Sequence, residues 1–83
     1  MPRYMDTHRN VKDLTAKAVA DAHQKDTEVQ GKHGVNYLRY WFNEGVGLVH
    51  CLVDAPSPEA ANAVHREAHG LVADEIFEVS EHS

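Results

Sequence analysis

Val46-Gly47-Leu48-Val49-His50-Cys51-Leu52-Val53, followed by Asp54-Ala55-Pro56-Ser57-Pro58, is the stretch that decides the fold. The first eight residues form a nearly continuous apolar run, as expected of a strand in the middle of a sheet. Pro56 and Pro58 forbid its extension, because a proline has no N–H to give to a ladder. Ser57 reads as a helix cap, and Pro58 takes the first helical position, where a missing N–H costs nothing. The helix it starts buries Ala60, Ala61, Val64 and Ala68 and closes at Gly70. Ile76 to Val79 supplies a further strand, and Glu81-His82-Ser83 is left as a frayed tail.

Working upstream, Asn43-Glu44-Gly45 reads as a hairpin turn into an aromatic-rich strand from Val35 to Phe42. Before it, a helical pattern runs from about Leu14 to Gln30, with Leu14, Ala18, Ala22 and Val29 on one face and Val11 and Val19 extending it. Asp13 or Thr15 caps its start, and Gly31 and Gly34 mark its end. Residues Pro2 to Arg9 read as a first strand that stops at Asn10. Strand, helix, strand, strand, helix, strand is the split βαβ order. It predicts an α+β, ferredoxin-like βαββαβ sandwich, one domain over residues 1–83, with two helices on one face of a four-stranded antiparallel sheet.

The other sheet face has nothing within the chain to cover it. Strands two and three carry apolar residues at both parities, among them Tyr37, Leu38, Tyr40, Trp41, Leu48 and Leu52. At 83 residues the chain buries only a modest core. A second copy is the expected cover, so the sequence predicts a homodimer; a partly exposed antiparallel face is the plainer alternative.

Composition narrows the function classes. With 42% hydrophobic and 25% charged residues the chain is a folded domain. Its net charge is −5, and its eight Lys and Arg are scattered without a basic stripe, which argues against nucleic acid as a partner. No apolar run approaches membrane-spanning length, and the first residues hold no signal-like apolar segment. Cys51, the single cysteine, excludes an intrachain disulfide and fits a reducing compartment. The expectation is a soluble, cytoplasmic protein.

Seven histidines in this length ask for a reason, and their spacing matters more than their number. Asp6 and His8 stand two apart on the first strand and so share a face. His23, Asp26 and Gln30 line one flank of the first helix. His65 and His69 stand at i, i+4 on the second helix, a separation that lets two imidazoles hold one ion. Asp6, His8, His23, Asp26, His65 and His69 are therefore candidate ligands, with Glu67 and Glu75 in reserve. Mixed imidazole and carboxylate donors suit a borderline divalent ion such as nickel, zinc, copper or ferrous iron. Plainer readings stand beside each: a strand-end hydrogen bond for Asp6 and His8, a solvated helix flank for His23 and Asp26, a chance pair for His65 and His69. Cys51 reads as a small core residue, His33 and His82 as surface, and the aromatic run from Tyr37 to Phe42 as core or interface.

No nucleophile elbow, phosphate loop, dinucleotide glycine pattern or zinc-ribbon cysteine pair is present. Two further function classes stay open. One is a small-molecule enzyme of the dimeric ferredoxin-like monooxygenase or isomerase type, with His8, His23 and His65 as acid–base groups. The other is a regulatory interaction module that binds a partner on its sheet edge or helix face.

Several segments together resemble a known family: Tyr4-Met5-Asp6-x-His8, Ala22-His23-x-x-Asp26, Gly34-Val35, Tyr40-Trp41-Phe42-x-Glu44, Cys51-Leu52-Val53-x-Ala55-Pro56, and the long block from Val64 to Ile76. The resemblance is to small bacterial ferredoxin-like proteins, formally a domain of unknown function, that include a nickel-binding, nickel-responsive member. It spans nearly the whole chain. It implies a ferredoxin-like homodimer with nickel or a related divalent transition metal as the leading ligand. Members fused to nucleotide-cyclase modules would suit a sensory role.

Overall fold

The computed structural model describes residues 1–83. Its strands are β1 (Arg3–His8), β2 (Asn36–Asn43), β3 (Leu48–Asp54) and β4 (Glu75–Glu78); its helices are α1 (Ala16–Val29) and α2 (Pro58–Ala68). The sheet order is β2-β3-β1-β4 with every neighbour antiparallel, which is the expected ferredoxin-like arrangement. No helix is long and apolar enough to cross a membrane.

Both helix caps follow from the sequence. Thr15 Oγ1 accepts the Ala18 N–H at 3.1 Å, and Ser57 Oγ accepts the Ala60 N–H at 3.2 Å. Each removes one of the donors that a helix start leaves without a partner. The hairpin differs from expectation: Val46 and Gly47 belong to the turn, and β3 begins at Leu48. Gly47 adopts a positive φ of 68°, and its carbonyl accepts the Val11 N–H at 3.0 Å. A Cβ there would meet Val11 backbone at 3.0–3.1 Å, so glycine is required for the hairpin tip to reach the segment after β1.

β1 and β3 are the central strands, and their register fixes what faces the helices. Tyr4 pairs with Val53, Asp6 with Cys51 and His8 with Val49. Around them the core gathers Val19, Val35, Tyr37, Ala61 and Val64, with Val53, Ala55, Ala61 and Val64 completely buried. The packed face of α2 departs from the alanine stripe read from the sequence. Ala61, Val64 and His65 are its buried residues, whereas Ala60 and Ala68 are only half-buried.

β2 explains why the sequence puts apolar residues at both parities. Tyr37 pairs with Val53 and Arg39 with Leu52, so Leu38 is an extra residue, a β-bulge. The bulge lets Tyr37 and Tyr40, three apart, both face the helices, because each sits opposite a helix-facing residue of β3 (Val53 and Cys51). On the opposite sheet face Trp41 and Phe77 are each 48% exposed.

Deleting Leu38 should leave the pairing of β2 with β3 regular and both tyrosines facing the helices. Deleting Trp41 should turn Phe42 away from them. Thermal unfolding of the two deletion variants checks this: a cooperative transition is expected for the first and its loss or a much lower midpoint for the second.

Candidate metal centre

Three elements meet beneath the sheet surface with charged side chains. β1 brings Asp6 and His8, α1 brings Asp26, and α2 brings His65, where β-strand period and helix pitch point each inward. Asp6 is completely buried, His65 is 1% exposed and Asp26 2%. His65 bridges the two carboxylates, with Nδ1 2.9 Å from Asp26 Oδ1 and Nε2 2.9 Å from Asp6 Oδ2. The Tyr37 hydroxyl donates to Asp6 Oδ2 at 2.8 Å and stands 2.8 Å from His65 Nε2.

These contacts set the charge states. Burial opposes ionisation of Asp6, but the hydrogen bond from His65 and the nearby His8 imidazole outweigh it and hold the carboxyl well below the usual range. Asp26 is lowered likewise against burial by His65 and His69. For His65 burial favours the neutral ring, yet its bonds to Asp26 and Asp6 prevail and raise it to about 9. At neutral pH the centre is therefore a buried carboxylate–imidazolium–carboxylate chain. Burial, joined by the nearby Asp6 charge, pushes both the Tyr37 hydroxyl and the Cys51 thiol far up, so both stay protonated.

One oxygen is left over. Asp6 Oδ1 is buried without a hydrogen-bond partner. His8 Nε2 lies 3.3 Å from it. The ligand atoms of Asp6, His8, Cys51 and His65 all fall within 4.8 Å of one another, and those of Asp26, His65 and His69 form a second such group. His8 and the protonated Cys51 thiol are the nearest polar neighbours of Asp6 Oδ1, neither in a well-aligned hydrogen bond, and a cation would satisfy this oxygen more fully. The donor set of imidazoles and a carboxylate suits a borderline divalent metal.

The six residues picked out by spacing thus divide. Asp6, His8, Asp26, His65 and His69 come together. His23 stands in neither group; its ring packs on Tyr40 with centroids 4.8 Å apart. His65 lies inside the core rather than on the flank of the apolar stripe, since two carboxylates supply the partners that burial demands. His69 Nδ1 accepts the Leu71 N–H at 3.1 Å, which puts the proton of the neutral ring on Nε2, 3.1 Å from Asp26 Oδ1. Both its nitrogens are engaged, so His69 orients Asp26. Glu67 pairs with Lys32 and His33 and Glu75 with Arg9, all outside the centre. Tyr37 is the participant that spacing did not reveal. Its one sequence signal is a hydroxyl on an otherwise core-forming strand, which needs a partner when buried. Cys51, read as core, is core and also borders the centre.

The fold and the centre together define a small ferredoxin-like α+β protein with a buried histidine–carboxylate cluster. Residues 4–79 match the family described as nickel responsive protein SCO4226-like, and the chain belongs to that family. The crystal structure of SCO4226 from Streptomyces coelicolor A3(2) is similar at 36% identity and a TM-score of 0.90, with 98% of this chain and 99% of that chain covered. No curated protein matches the chain.

The charge chain predicts a pH dependence. His65 has a folded value of about 9 against an ordinary 6.5, so its stabilising effect is complete below about pH 6.5 and is lost as pH rises through 9. At about 1.36 kcal/mol per unit, the loss is roughly 3 kcal/mol. Urea unfolding at pH values on either side of this window should show the decline, and a His65→Gln variant should flatten it.

Proposed function

We propose that this protein binds a divalent transition metal, nickel foremost, at Asp6, His8 and His65, as a cytoplasmic homodimer that senses or buffers the ion. The observation that carries the reading is the orphaned Asp6 Oδ1, buried among two imidazoles and a thiol. The family's description as nickel responsive makes nickel the first ion to test. Asp26 and His69 act behind His65, fixing its ring as a carboxylate fixes a metal-bound histidine. Asp6, His8 and His65 would hold the ion, which would supply positive charge to Asp6 in place of the His65 Nε2 proton. Binding therefore releases a proton and weakens as pH falls.

The dimer reading rests on the sheet face away from the helices, where Trp41 and Phe77 are exposed and nothing from the chain covers them. The single buried cysteine fits a reducing cytoplasm.

Calorimetric titration of metal-stripped, tag-free protein with nickel, zinc and copper tests the site. Saturable binding should weaken on the order of tenfold or more in Asp6→Asn and in His8→Ala, and stay unchanged in His23→Ala. Equal affinity in the first two variants would sink the assignment. Light scattering tests assembly: a mass of twice 9.3 kDa is expected, falling to the monomer's in Trp41→Glu.

A further inference from the structure

A cavity of about 530 Å³ opens beside the buried centre, between α1, the start of β3 and the segment that follows α2. An ion with a few waters needs far less, since a water occupies about 30 Å³. The volume lies within the range of small-molecule pockets, which is about 300–1,000 Å³. An apolar wall and a polar floor make it a built site.

Its wall is apolar, formed by Val11, Leu14, Ala22, Val49, Leu71 and Val72. Leu71 and Val72 are 57% and 42% exposed, an apolar lip with no packing reason of its own. The segment that closes the other side carries both non-glycine residues of positive φ, Asn10 at 55° and Asp13 at 57°. Asn and Asp reach this region at little cost, so the segment turns sharply over the cavity mouth without strain.

The floor is polar and acidic. Asp26 lines the cavity although it is 2% exposed. Its Oδ1 takes both His65 and His69, and neither of these contacts uses Oδ2. Around the cavity Asp13, Asp26 and Asp74 face Arg9, Lys12 and the His65 imidazolium; His65 is shared with the buried Asp6 behind it and Arg9 is already paired with Glu75, so the balance is acidic. His23 and Tyr40 present a packed aromatic pair alongside. Such a floor accepts hydrogen bonds and attracts positive charge, while the aromatic faces add a cation–π contribution.

We propose that this cavity binds a small organic amine, its apolar, preferably aromatic body against the wall and its ammonium on Asp26 Oδ2. The cavity borders the candidate centre and shares His8, Asp26, Cys51, His65 and His69 with it, but amine binding needs no ion.

Titration calorimetry of metal-free protein with tryptamine tests it, against indole-3-propionate as a similar body of opposite charge. Tryptamine should bind saturably at one per chain, and the anion at least tenfold more weakly. Ala22→Phe should fill the cavity and abolish tryptamine binding. Leu71→Ser, on the exposed lip where folding is not at stake, should weaken it severalfold. Nickel titration of Leu71→Ser should match the parent protein, so a failure of the metal reading and a failure of this one remain distinguishable. Non-saturating heats with tryptamine, equal or tighter binding of the anion, or tryptamine affinity unchanged in both variants would overturn the proposal.

Discussion

The bridge from Asp6 through His65 to Asp26 is the constraint on which the rest of the molecule depends. It ties the central strand to both helices through one imidazole, at 2.9 Å on either side. Removing water from two carboxylates is expensive, and a single apolar replacement would pack at less cost. The chain instead keeps charge in its core and surrounds it with Val53, Ala61 and Val64, which exclude solvent and strengthen each attraction. A core of this kind holds a defined set of side-chain atoms in fixed positions.

Much of the surrounding structure serves that bridge. The register of β1 against β3 places Asp6 beside Cys51 and His8 beside Val49. The Leu38 bulge brings Tyr37 round to the same side, so its hydroxyl reaches Asp6. The cap on α2 sets that helix's start, and Pro58 gives it a defined entry. His69 completes the arrangement from the end of α2, held by the backbone N–H of Leu71.

The fold was legible in the sequence because its signals are local. Two prolines and a serine separate β3 from α2, and glycines punctuate both helix ends, so element order followed without knowledge of contacts. The candidate centre was legible only in part. Spacing placed Asp6 and His8 on one face and paired His65 with His69, which is as far as periodicity reaches. That His65 is buried, that His23 stands apart on Tyr40, and that Tyr37 joins the cluster all depend on tertiary packing. The bulge hid Tyr37 most effectively, since one extra residue reverses the face that simple alternation assigns.

The centre also has a history within each molecule's synthesis. His65 meets Tyr37, Asp26 and Asp6 across 28, 39 and 59 residues of chain. Contacts of such separation form after local helices and hairpins, once long loops have closed. A nascent chain still lacking α2 therefore presents Asp6, His8 and Asp26 as isolated side chains on unfinished elements. The donor atoms of the cluster can come together only after α2 has been synthesised and has folded onto the sheet.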